Sequence, residues 1–166
     1  MTKSEFKSLF DNHFEAVRNY IWYRSGDMEL ASDITQEAFL KLWEKQPEVT
    51  NGNLKGLVFK IAGDLFVSSY RRKKVALNFQ MEQKHKKNRS ETPEDKIAFY
   101  ELKLQYEKAV SLLPEKQRTV YLMHRYDRMK YSEIAESLGI STKAVEKRIS
   151  KALGFLKQKL NYSETS

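Results

Sequence analysis

The sequence predicts an all-α chain of two small helical domains, and three observations predict it. Apolar residues recur at three- and four-residue spacing along almost the whole chain, with no alternating strand pattern and no internal repeat. A basic stretch with little periodicity interrupts that pattern once, near the middle. Just past it, Thr92-Pro93-Glu94-Asp95 has the form of a helix start. We therefore place one domain at residues 1–74, a flexible basic linker at 75–92 and a second domain at 93–166.

The first helix carries Phe6, Leu9, Phe10, Phe14, Val17 and Ile21. A second, predicted to start near Ser32-Asp33, carries Ile34, Ala38 and Leu42. The third shows two apolar sides when each residue is turned by about 100°. Leu54, Leu57, Ile61 and Leu65 lie on one side; Phe59, Phe66 and Tyr70 lie nearly opposite. Either the helix buries both sides in a bundle, or Phe66 and Tyr70 stack on unpaired bases beside the basic run that follows. Past the linker, a fourth helix runs from Pro93 through Ile97, Leu104 and Val110 to Leu113. Pro114 then opens a fifth at Glu115, carrying Val120, Leu122 and Met123.

Charge is distributed unevenly. The chain has 166 residues and a formal net charge of +8, yet residues 1–70 hold 8 Lys and Arg against 10 Asp and Glu. Residues 71–90 hold 8 against 1, and residues 91–166 hold 14 against 11. Such a concentration fits an anionic partner better than a uniformly solubilising charge does. No cysteine is present, which removes disulfides, thiolate metal sites and a cysteine nucleophile. His13, His85 and His124 stand at no metal-ligand spacing, and there is no Gly-rich phosphate loop or nucleophile elbow. We expect no enzyme, no metal and no cofactor. The charged N-terminus has no signal-peptide run and no stretch is long enough to span a membrane, so a cytoplasmic protein is expected.

The sharpest local pattern is Tyr131 to Val145. Ile134, Leu138, Ile140 and Val145 supply apolar contacts between two helices, and Ala135 is small where they cross. Gly139 occupies the turn, where a positive φ is needed. Ser141 can cap the second helix, which then displays Lys143, Glu146, Lys147, Arg148 and Lys151. This is the form of a helix-turn-helix whose second helix enters the major groove. A plain helical hairpin with a solvated basic face is the bland alternative.

At this point the chain resembles a known family. Leu113-Pro114-Glu115-Lys116-Gln117-Arg118, the helix-turn-helix, and Val145-Glu-Lys-Arg-Ile-Ser-Lys-Ala152-Leu153 resemble the fourth region of bacterial sigma factors. Asp33-Ile34-Thr35-Gln36-Glu37-Ala38-Phe39-Leu40-Lys41-Leu42-Trp43 looks like their second region, which Leu57-Val-Phe59-Lys-Ile61-Ala62 continues. With only these two regions the chain is similar to the extracytoplasmic-function (ECF) group. Its Ser-Thr-Lys-x-Val-Glu-Lys helix looks like the iron-citrate-regulator type common in Bacteroidetes.

The resemblance implies partners and roles. Core RNA polymerase is met through the clamp coiled coil of its largest subunit and through its flap. Asp33, Gln36, Glu37 and Leu40 correspond to the clamp-binding face; Asp33 and Glu37, four residues apart, set two carboxylates on it. Phe39 and Trp43 read as core. Asn51 and Asn53, in the loop before the third helix, correspond to a base-selecting loop at the minus-ten element. Lys60, Asp64, Tyr70, Arg71, Arg72 and Lys73 correspond to minus-ten DNA contacts. Where many relatives carry Asn this chain has Asp64, which accepts but cannot donate, and Ser68 stands where they have Asp. Arg118, Ser141, Thr142, Lys143, Lys147, Arg148 and Lys151 correspond to contacts at the minus-thirty-five element, Arg118 near the DNA backbone. A membrane-anchored anti-sigma partner and an outer-membrane transport gene as target are also implied. A free-standing helix-turn-helix regulator and a polymerase-binding inhibitor that no longer reads DNA are the competing readings.

Overall fold

A computed structural model describes residues 1–45, 52–70, 77–81 and 92–165, without the side chains of Tyr70 and of residues 161–165. These residues form seven helices and no strand: α1 (Lys3–Ser25), α2 (Met28–Glu44), α3 (Leu54–Tyr70), α4 (Pro93–Leu112), α5 (Glu115–Arg125), α6 (Tyr131–Leu138) and α7 (Thr142–Thr165). The all-α expectation matches.

Local chemistry fixes the helix ends. At α1, Thr2 and Glu5 form a reciprocal capping box, and Gly26 closes the helix at φ 72°, donating to the Trp22 carbonyl at 2.7 Å. α2 starts four to five residues earlier than its periodicity suggests. Asp27 is the cap, accepting from the Leu30 N–H at 3.0 Å, and the polar first turn before Ile34 hid it. Thr92 and Asp95 form the predicted capping box, with Pro93 in the first turn of α4. In the helix-turn-helix, Gly139 takes φ 67° and Ser141 Oγ accepts from the Ala144 N–H at 3.0 Å.

Helices α1, α2 and α3 pack on one another around Val17, Ile21, Ala38, Phe39, Leu42, Val58 and Phe59, all at most 1% exposed. Phe39 anchors an aromatic cluster with Phe6, Phe10 and Phe14; Trp43, expected as core, is only half-buried, against Phe6. α3 does bury its Phe59 side: Phe66 is 2% exposed, with the Arg24 guanidinium 4.6 Å from its ring centre. Phe66 is thus a packing residue and does not offer its face to a base. The second core joins α4, α5, α6 and α7 through Val110, Val120, Leu122, Met123, Ile134, Val145, Ile149 and Ala152.

The two cores are docked. α1 lies against α5, and α3 against α6. Arg118 of α5, 4% exposed, reaches the C-terminal end of α1: its Nε donates to the Tyr23 carbonyl at 2.8 Å and Nη2 to the Arg24 carbonyl at 2.9 Å. Nη1 donates to Leu113 of its own domain at 2.9 Å. Arg24 Nε meets Glu115 Oε1 at 2.6 Å, and Asp127 Oδ1 accepts from Tyr23 Oη at 2.7 Å and from Asn19 Nδ2 at 3.1 Å. Residues 77–81, expected within a flexible linker, are packed into this seam. Phe79 is 3% exposed between Trp22 and the Arg118 guanidinium, Met81 is 8% exposed, and Asn78 bonds Gly26 and Trp22.

Two glycines with the same φ sign should respond differently to alanine. Either substitution strains a left-handed residue by about 1–2 kcal/mol. A methyl at Gly139 meets nothing within 4 Å, whereas one at Gly26 falls 2.7 Å from Leu77 Cα and 2.9 Å from Asn78 N. Gly26→Ala should therefore lower the denaturant midpoint distinctly more than Gly139→Ala does. Equal losses would mean that residues 77–81 do not pass over Gly26.

Docking should also depend on pH through Asp127. Burial raises its carboxyl to about 6, against the opposing hydrogen bonds from Tyr23 and Asn19, and Glu15 adds to the rise. The docked state thus binds the proton more tightly than an undocked, solvated carboxyl near 3.8. This contribution is fully present below that value and is lost as pH rises through 6. Interdomain contact, followed by protection of the Arg118 guanidinium N–H groups from exchange, should strengthen between pH 7 and 5. Asp127→Asn keeps an acceptor for Tyr23 and should flatten that dependence.

Candidate functional site

Helix α2 separates its two faces cleanly. Ala31, Ile34, Thr35, Ala38, Phe39 and Leu42 are buried, and Asp33, Gln36, Glu37 and Leu40 all point to solvent. Thr35 makes the inward face tolerable by donating to the Ala31 carbonyl at 2.7 Å. Neither Asp33 nor Glu37 has an ion-pair partner among the described residues. Leu40 is 56% exposed, and with Lys3, Phe6 and Trp43 it lines a shallow, almost wholly apolar cavity of about 180 Å³. The four expected partner-binding residues therefore form one stripe, acidic at its start and apolar at its end.

On α3, Lys60 and Asp64 are exposed neighbours, Nζ to Oδ2 3.9 Å. At that length and exposure the pair adds little stability, so both side chains remain available to a ligand. Asn53 has a structural role that its loop position did not announce. Its Oδ1 accepts from the Gly56 N–H at 2.9 Å, capping α3, and its amide nitrogen lies against Gly56, where a side chain would stand. Tyr70 is the last residue of α3. Asn51, Arg71, Arg72 and Lys73 lie outside the described residues.

On α7, Val145, Ile149, Ala152 and Leu156 are buried, so Ser141, Thr142, Lys143, Glu146, Lys147 and Lys151 are exposed and Arg148 is half-buried. The cations thus crowd the outward side of a helix whose N-terminus is free to approach a groove. Arg118 does not join them. Its planar fork is enclosed in the seam and donates to three carbonyls, so in this arrangement it has no access to a DNA phosphate. Sequence reasoning also missed Asn19, Tyr23, Arg24, Glu115 and Asp127, since nothing in their spacing says which helix of the other domain they meet. Among the described residues no group of His, Asp and Glu could hold a metal ion, and no helix is long and apolar enough to cross a membrane.

Comparison with known proteins agrees with this two-part layout. Residues 9–75 match the family model for sigma-70 region 2, and residues 103–156 match that for sigma-70, region 4. The RNA polymerase sigma factor SigZ of Bacillus subtilis (strain 168) is 23% identical over 161 residues, covering 93% of this chain and 86% of the relative. The ferric citrate uptake sigma factor FecI of Escherichia coli (strain K12) is 25% identical over 149 residues, covering 89% and 86%. Two solved structures share the fold. The sigma factor RpoE of Bartonella quintana, crystallised with the anti-sigma factor NepR, has a TM-score of 0.63 at 21% identity, with 95% of this chain and 97% of that chain covered. CnrH, in complex with the cytosolic domain of CnrY, has 0.65 at 20%, covering 97% and 90%. With both regions matched in order, and with the exposed stripe of α2 and the helix-turn-helix falling one in each, this chain belongs to the ECF group of the sigma-70 family.

Proposed function

We propose that this protein works as the sigma subunit of a bacterial RNA polymerase, directing core enzyme to promoters and starting DNA-templated transcription. The observation that carries the reading is the segregation of α2. Every residue of its polymerase-facing stripe is exposed, and every residue between them is core. In this reading Asp33 and Glu37 meet cationic side chains of the largest-subunit clamp, and Gln36 and Leu40 complete the contact, Leu40 with the apolar cavity behind it. A second contact with the flap falls to the C-terminal domain.

The promoter roles follow from charge and position. Lys60 and the cations Arg71, Arg72 and Lys73 track the backbone near the minus-ten element, where Asn51, Asn53, Asp64 and Tyr70 meet bases. Asp64 can accept from cytosine or adenine amino groups but repels phosphate, so Lys60 beside it offsets that repulsion. Ser141, Thr142, Lys143, Lys147, Arg148 and Lys151 serve the minus-thirty-five element. Arg118 can reach a phosphate only after the seam has opened. The cytoplasm is where such a protein works. FecI is named for ferric citrate uptake, RpoE was solved with the anti-sigma factor NepR, and CnrH with the cytosolic domain of CnrY. Those likenesses support a membrane-anchored anti-sigma partner here and an outer-membrane transport gene as target.

The test is reconstitution with core polymerase and a promoter library, with the starting transcripts sequenced. Start sites sharing two upstream motifs support the reading. Specific duplex binding by the chain alone, with no effect on where polymerase starts, would replace it with a free-standing regulator. Glu37→Lys should weaken core binding roughly tenfold while leaving the thermal midpoint nearly unchanged, because the side chain touches no core. Arg148→Glu should abolish dependence on the upstream motif. Lys143→Ala should lower promoter affinity evenly across sequences and reduce the salt slope by about one.

A further inference from the structure

A cavity of about 760 Å³ opens between α1, residues 78–81 and the turn that follows α5. That volume lies within the range of about 300–1,000 Å³ that small-molecule sites occupy. One wall is a single face of α1, on which Glu15, Arg18 and Trp22 follow one another at helical spacing. Tyr126 and Asp127, from the turn between α5 and α6, and Met81 complete it. Two atoms of this lining are buried without a hydrogen-bond partner among the described residues: Arg18 Nε, a donor, and Asp127 Oδ2, an acceptor. Tyr23 and Asn19 both donate to Oδ1 of Asp127, so Oδ2 is left for a donor from the cavity. Burial raises that carboxyl to about 6, as expected of a charge its surroundings do not fully compensate.

We propose that this cavity is a binding site for a free basic amino acid, whose carboxylate accepts from Arg18 and whose α-ammonium donates to Asp127. The choice follows from the charges. The lining holds one guanidinium, Arg18, against three carboxylates, Glu15, Asp27 and Asp127. A simple anion would pair with Arg18 but be repelled by the rest, and a simple amine would leave Arg18 Nε unpaired. A zwitterion satisfies both buried atoms at once, which is where a ligand gains most over water. A second cation, on the side chain, balances the remaining acidic excess. Asp27 Oδ1 is committed to the Leu30 N–H at the start of α2. Glu15 is exposed and has no ion-pair partner among the described residues, so it is the carboxylate that meets this second cation. The aliphatic stem between the charges lies against Trp22, Tyr126 and Met81, and a cation beside aromatic rings is favoured further. The site does not depend on the sigma reading, because binding alone reports it.

Calorimetric titration of the full chain tests this at about pH 7.5, where the Asp127 carboxyl is ionised. L-arginine, L-lysine or both should bind at one site per chain and raise the thermal midpoint. Agmatine, which is L-arginine without its carboxylate, should bind roughly tenfold more weakly than L-arginine. L-citrulline, which lacks the side-chain charge, should also bind more weakly. Arg18→Met should abolish the preference for L-arginine over agmatine. Because Arg18 Nε has no partner to lose, that variant's own thermal midpoint should be no lower than the parent's, which separates a lost site from a lost fold. Asp127→Asn keeps an acceptor for Tyr23 and should weaken L-arginine roughly tenfold. Three results each overturn the site: no saturable binding of either amino acid in the millimolar range, agmatine binding as tightly as L-arginine, or binding that both variants retain in full.

Discussion

The guanidinium of Arg118 is the constraint on which the arrangement of the two regions depends. A buried cation needs its donors satisfied, and arginine presents five in a rigid plane. Here one edge is held by its own domain, through Leu113, and the other reaches the Tyr23 and Arg24 carbonyls across the seam. Its face lies against Phe79, 5.0 Å from the ring centre. One side chain therefore joins three parts of the chain: the end of α1, the start of α5 and the segment between the domains. No lysine could do this, since a single ammonium cannot meet three acceptors in that plane.

Much of the architecture was legible because helices announce themselves through period and caps. The Thr92–Asp95 box, the Gly139 turn and the Ser141 cap lie where local pattern puts them, since each depends only on residues within four positions. The start of α2 was read late because Glu29 and Ser32 interrupt the apolar period while Asp27 caps the helix. The stripe of Asp33, Gln36, Glu37 and Leu40 was legible for the same reason as the caps: it is a periodic statement about one helix. Arg118 was not. Its environment is made by residues nearly 100 positions away, and a resemblance that places it near DNA says nothing of the undocked or docked state. Phe79 and Met81 were likewise hidden in a basic, aperiodic run that reads as linker.

Charge in this molecule is divided by task. The first seventy residues are slightly acidic, and the carboxylates Asp33 and Glu37 are displayed on α2, away from the α3 face that is expected to meet DNA. A polyanion would repel that stripe, whereas a cationic protein surface would attract it, so one domain can sort two partners by sign. On α7 the cations alternate with Glu146, which limits non-specific attraction to any duplex. Lys60 beside Asp64 repeats that pairing on α3.

Site and scaffold are separable along α2 and α7 because the proposed contact residues, the half-buried Arg148 apart, are exposed and their neighbours form the core. Substituting an outward residue there changes recognition with little effect on folding. The seam obeys the opposite rule. Tyr23 is core of the first domain and, through its hydroxyl, a donor to the second; Arg24 covers Phe66 and Tyr20 while it pairs with Glu115. A change at either residue reaches folding and docking at once. Residues of that kind cannot be recognised from one domain's pattern, and they couple the stability of the first domain to the position of the second. Docking therefore need not be strong to matter. A seam of polar contacts around one arginine holds α1 against α5, and with it α3 against α6.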